Sequence, residues 1–136
     1  MESVSVKRDD GTIDTVQSAD VGSELEPAQL ERLYWDEIRR ATLGAARFSR
    51  DAIRVAGFWP VILRFGPLVD GRRPIEGGMF ARRAGGTISW QVKGECTSVV
   101  IEGFAPLLWG PLWRAEAWLH DLIGRRFLSR VSREAR

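Results

Sequence analysis

Between residues 79 and 131 the apolar side chains recur first at every second position and then at every third or fourth. That change of period constrains the fold more than anything else in the chain. The segments 79-MFARR-83, 87-TISWQVK-93 and 97-TSVVIEGF-104 are separated by Ala84-Gly85-Gly86 and Gly94-Glu95, the spacing of an antiparallel meander. Ile88, Trp90 and Val92 alternate with Thr87, Ser89, Gln91 and Lys93, so the sheet they build has one apolar and one wet face. From Pro111, an allowed first helical position, Leu112, Ala115, Leu119, Leu122, Ile123 and Phe127 fall on one stripe of a long amphipathic helix. A one-sided sheet followed by a one-sided helix has its simplest solution in packing the two apolar faces together.

The earlier chain adds a second helix and more strands. Pro27 at a first helical position points to Glu24, Leu25 or Glu26 as the cap, and Ser23 and Glu26 have capping-box spacing. Leu30, Leu33, Tyr34, Ile38 and Ala41, with Trp35 beside them, then follow helical spacing, which leaves Glu31, Asp36 and Glu37 directed largely to water. Beyond Gly44 the alternation of Ile53 and Val55 across Arg54 predicts a hairpin turning near Ser49 to Asp51. Pro60 then makes 61–65 a separate or bent strand near an edge. The stretch 66-GPLVDGRRPIEGG-78 reads as a loop, with Asp70-Gly71 and Gly77-Gly78 as its turns. Residues 1–22 read as an acidic tail or one edge strand, and 23–136 as a single domain.

The expected fold is therefore α+β: an antiparallel sheet of about six strands, an early helix, and a long C-terminal helix across one face. In element order this is similar to the START-like helix-grip superfamily of polyketide cyclases, lipid-transfer domains and related binders. The resemblance covers most of the chain and rests on order alone. It implies a cavity between sheet and final helix for a sterol, lipid, polyketide or other apolar molecule, and it implies no particular residue. Function has to be argued from the site.

Composition narrows the classes. Hydrophobic residues at 44% and charged residues at 28% fit one globular domain in 136 residues. The N-terminal stretch has no apolar core of the secretory kind and no run approaches the roughly 20 residues that span a bilayer, so a cytoplasmic location is expected. The single cysteine, Cys96, forms no internal disulfide, fits a reducing compartment, and is expected as a small buried hydrophobe. Residues 1–40 carry five basic and ten acidic side chains and the remainder fifteen and eight, so the two parts are −5 and +7. The acidic part can lie against the basic one, and 18 of 20 basic residues are arginine; nucleic acid is accordingly not expected as a partner.

The inventory for catalysis is thin. His120 is the only histidine, so with Cys96 a zinc site lacks its donors, and neither a metal nor a cofactor is expected. His120 and its neighbour Asp121 diverge by about 100° on a helix and cannot form a triad pair. The glycine pairs match neither a P-loop nor a dinucleotide fingerprint and read as turns. Arg64 and Glu102 each interrupt an apolar strand run, VILRF and VVIEGF; they lie on a wet face or orient a ligand inside the cavity. Trp109 and Trp113 flank Gly110-Pro111 at the start of the last helix, where aromatic side chains belong to the core or dip into a membrane interface. Only Trp90 with Lys93 suggests an RNA-stacking surface.

With Leu112 at zero and about 100° per residue, Glu116 falls at about 40° and His120 at about 80°, inside and at the edge of the apolar stripe. Glu116 then pairs with His120 or a sheet residue such as Arg64, or the two make the polar end of a cavity. Arg126 and Arg130 on the same face would mark where the helix overhangs the core. The leading expectation is non-covalent binding of a small apolar or amphipathic molecule, with Glu116, His120, Arg64, Trp90, Glu102 and Trp113 as ligand-binding candidates. The alternative is a protein-interaction or peripheral membrane module, or a homodimer, using the aromatic segment 104–113. A cyclase-like or hydrolytic enzyme comes third.

Overall fold

The computed structural model describes residues 2–20, 25–55, 61–81, 84–105 and 111–134, with residues 2, 7, 111–117 and 134 described by backbone alone. In chain order the elements are β1 (Glu2–Lys7), β2 (Ile13–Ala19), α1 (Pro27–Ala41), β3 (Ala46–Ser49), β4 (Ala52–Val55), β5 (Val61–Phe65), β6 (Arg72–Gly77), β7 (Thr87–Lys93), β8 (Cys96–Phe104) and α2 (Pro111–Glu134). The described strands form one antiparallel sheet of eight in the order β1-β2-β8-β7-β6-β5-β4-β3. Neither helix is long and apolar enough to cross a membrane.

Both helices cover the same face of that sheet. Gln17, Val99 and Trp90 are direct register partners across β2, β8 and β7, so their side chains share a face. Gln17 meets the backbone of α2, and Trp90 meets Tyr34 and Trp35 of α1. Three register shifts, at Ile13/Thr15, Ile53/Arg54 and Arg64/Phe65, bend the strands beneath the helices. At the first of them Gly103 adopts φ 66, a left-handed conformation that favours glycine, and its N–H donates to the Asp14 carboxylate at 2.8 Å. That bond holds the Asp14 carboxyl below its usual range.

The early helix begins as expected. Glu26 is its cap, Pro27 opens it, and the Glu26 N–H donates to Gln29 Oε1 at 2.9 Å. It ends where Leu43 and Gly44 turn left-handed and Gly44 N–H returns to the Arg39 carbonyl at 2.7 Å. The long helix begins at Pro111. The hairpin expected near 49–51 turns at Arg50 and Asp51, and that between the last two strands at Gly94 and Glu95.

Three expectations are corrected. Residues 72–77, read as loop, are strand β6, whereas 79–83, read as a strand, begin with a turn at Met79 and Phe80. Asp70 and Gly71, both at positive φ, make a two-residue turn in which Val69 and Arg72 exchange backbone bonds of 2.9 and 3.0 Å, so the chain reverses early. The N-terminal stretch is a hairpin, β1 with β2, and β2 is an interior strand paired to β8; the sheet of eight described strands is otherwise close to the six or so expected.

The acidic residues of α1 also do not all face water. Glu31 and Glu37 are only 5% and 3% exposed. Glu31 accepts from Arg73 of β6 and from Trp35 Nε1 at 2.8 Å, while Arg73 Nη1 also reaches Asp51 Oδ1 and the Gly66 carbonyl, each at 2.9 Å. Glu37 pairs with Arg126 at 3.1 Å, and Arg130 pairs with Asp36 at 2.5 Å. These two arginines of α2 clamp α1 and do not overhang the core, because the helices lie side by side on one sheet face. The Arg130 hydrogen bond holds the Asp36 carboxyl below its ordinary range.

Candidate functional site

Tyr34, Trp35, Trp90 and Phe127 pack edge to face with ring centroids 5.4–5.7 Å apart, and Trp35 stacks on Phe48 at 4.4 Å. This aromatic cluster fills the space between helices and sheet at one end. Beyond it Ile13, Ile53, Leu63, Ile75, Ile88 and Ile101, with Phe65, Phe80 and Phe104, leave an apolar cavity of about 450 Å³ roofed by both helices. α1 contributes Tyr34, Trp35, Ile38 and Thr42 to its wall, and α2 contributes Leu119, His120 and Ile123. None of the described lining residues is an arginine, lysine, aspartate or glutamate.

Polar atoms on this wall are few. Thr42 is already engaged, its hydroxyl donating to the Ile38 carbonyl at 2.8 Å and accepting from Ala46 N–H at 3.0 Å. The Tyr34 hydroxyl stands 3.5 Å from His120 Nδ1, a long contact. His120 Nε2 is buried and has no hydrogen-bond partner among the described residues. Burial pushes the His120 imidazole down to about 4 and the Tyr34 phenol up, so both are neutral across the physiological range.

The position of His120 is set from the sheet. Gln17, fully buried on β2, directs Nε2 at the carbonyls of His120 and Asp121, at 3.4 and 3.5 Å. One turn on, Gly124 lets the helix approach, because a Cβ there would lie 2.0–2.3 Å from the Gln17 amide. A mid-helix glycine is unfavourable by itself, so this close approach is its physical rationale.

Of the six candidate ligand contacts, His120 lines the cavity. Trp90 is 1% exposed and belongs to the aromatic core beside the cavity, with its indole N–H unpartnered among the described residues. Arg64 and Glu102 are exposed, which corrects the idea that they enter the cavity: alternation puts Leu63 and Ile101, their neighbours, on the inner face. The side chains of Glu116 and Trp113 lie outside the described residues, as does Trp109. Cys96 is half-buried at the β7–β8 turn and not fully buried. Tyr34 was legible only as a member of an apolar stripe; its hydroxyl meets a histidine 86 residues away, which no local pattern reports.

Among the described residues no three His, Cys, Asp or Glu side chains come together as a metal site would require. Fold and site together define an α+β domain with an internal apolar cavity under two helices. The chain matches no protein-family model, no curated protein and no solved structure.

Proposed function

We propose that this chain binds a small apolar or amphipathic molecule, non-covalently, in the cavity between sheet and helices. The observation that supports this reading is an apolar cavity of about 450 Å³ between the sheet and the two helices. Small-molecule sites run from about 300 to 1,000 Å³ and are mostly apolar. Two helices crossing one face of an antiparallel sheet also favour the START-like helix-grip kinship proposed for the chain. Its single cysteine favours a reducing compartment such as the cytoplasm.

Native mass spectrometry of the purified protein, together with fluorescence titration of the neutral apolar dye N-phenyl-1-naphthylamine, tests the proposal. A co-purifying mass, or saturable dye binding at one site, is expected. The cavity-filling variant Leu63→Trp should lose that binding while remaining folded. Dye binding unchanged in Leu63→Trp would overturn the reading. A second reading, peripheral membrane contact near the start of α2, has one observation in its favour: Trp118 is 67% exposed. Liposome pelleting that disappears in Trp118→Ala would support it.

A further inference from the structure

His120 and Tyr34 contain more chemistry than the closure of an apolar cavity requires. A neutral imidazole carries one ring hydrogen, on Nδ1 or on Nε2, and the bond made by one nitrogen decides the state of the other. Tyr34 is buried among Trp35, Trp90 and Phe127, and the polar atom its hydroxyl faces is His120 Nδ1. If Nδ1 accepts the phenol hydrogen, the ring hydrogen lies on Nε2. In the opposite tautomer Nδ1–H would donate to the Tyr34 oxygen, which leaves the buried phenol hydrogen without an acceptor among the described residues and the Nε2 lone pair unmatched as well. Nε2 is therefore a buried N–H donor, on a residue that lines the cavity, with no acceptor among the described residues. Thr42, the remaining hydroxyl on the described wall, already spends its hydrogen on the Ile38 carbonyl.

We infer that the cavity selects a neutral, mainly apolar molecule carrying a hydrogen-bond-accepting oxygen, such as a ketone, ester or alcohol, which the His120 Nε2–H holds. Tyr34 is the positioning residue that fixes the tautomer. This rests on the binding function proposed above. Carboxylates are disfavoured because no described lining residue is a cation, and an ion moved out of water without a partner is costly.

Three probes of nearly one shape separate the possibilities: 2-undecanone, 2-methyl-1-undecene and decanoate, which end in C=O, C=CH2 and a carboxylate on the same nonyl chain. Each competes at neutral pH against N-phenyl-1-naphthylamine on the full chain. The ketone is expected to bind about tenfold tighter than the alkene, the worth of one buried hydrogen bond, and decanoate more weakly than the ketone. In His120→Phe the ketone's advantage over the alkene should vanish while dye binding persists. Because His120 is the only histidine, imidazole 15N NMR reports its tautomer without ambiguity. The expected signal is Nε2–H, shifted by 2-undecanone, and Tyr34→Phe should mix the tautomers. Equal affinities for ketone and alkene, decanoate as the tightest ligand, or an Nδ1–H tautomer would each overturn the inference while leaving the cavity proposal standing. Failure of dye and probes alike to bind would overturn both.

Discussion

Two of the buried polar groups under the helices differ in how completely they are matched. Around Arg73 the guanidinium meets Glu31, Asp51 and the Gly66 carbonyl and lies over the Phe48 ring at 5.2 Å, while Glu31 also accepts from Trp35. His120 has one long contact on Nδ1 and none on Nε2 among the described residues. Closed networks hold a structure together; a buried polar atom without a partner, on a residue that lines a cavity, calls for another explanation, and the proposed ligand supplies one. The comparison teaches that a charge at the heart of this fold is architectural, and that the neutral, poorly satisfied pair is the candidate site.

The sharpest way to break that comparison is to remove one member of each group. Glu31→Ala leaves the Arg73 charge with only the exposed Asp51 as counter-ion and unpairs the Trp35 indole, and should lose about 3–4 kcal/mol in urea unfolding. His120→Phe removes an orphaned donor but also the long-range partner of the Tyr34 hydroxyl, and should cost about 1–2 kcal/mol at neutral pH. Equal losses in both variants would make His120 structural.

Acid distinguishes the groups next. The folded His120 ring titrates at about 4 and the unfolded ring near 6.5. As pH falls through 6.5 the unfolded chain gains a proton that the folded chain refuses, so stability declines until about pH 4 and then levels off. The full loss is roughly 3 kcal/mol. Asp14 and Asp36 have folded values below 3.8, so their contributions are present above 3.8 and are lost only below it. His120→Phe should erase the first decline and keep the second, as urea midpoints at successive pH values would show.

Much of this arrangement was legible in the sequence where one side chain, one turn or one period carried it. Pro27 and Pro111 marked both helix starts, Gly94-Glu95 marked its hairpin, and the angular position of His120 placed it at the edge of the apolar stripe. β6 was hidden because its inward positions begin with Arg73, whose partner Glu31 is 42 residues away, and because Pro74 argues against a strand. β2 was hidden in the same way, since Thr15 and Gln17 face inward where an apolar pattern would be sought. The Tyr34–His120 contact joins two helices and has no local signature.

The seat of His120 can be loosened without touching the ring. Gly124→Ala gains helix propensity but drives a methyl into the buried Gln17 amide, and should cost about 1–3 kcal/mol net. Adding Gln17→Ala should recover most of that loss, a coupling that a thermal-melt double-mutant cycle would measure. Independent, additive effects would mean that this contact does not seat the helix.

The smallest expected effect lies on the other side of the comparison, in the hairpin that carries Asp51 to Arg73. Arg50 and Asp51 sit at φ 50 and φ 57, both left-handed, in a two-residue turn that glycine or asparagine would suit better. Arg50→Gly relieves one of these conformations while leaving Asp51 free to hold Arg73. Relief of the positive φ outweighs the added freedom of glycine in the unfolded chain, so the variant should gain about 0.5–1 kcal/mol in urea unfolding. The gain should shrink if Asp51 is first changed to Asn, because the charged tie to Arg73 is then weakened and the hairpin's conformation matters less to the closed network. A loss of stability in Arg50→Gly would show instead that the arginine side chain contributes more at this turn than its backbone conformation costs.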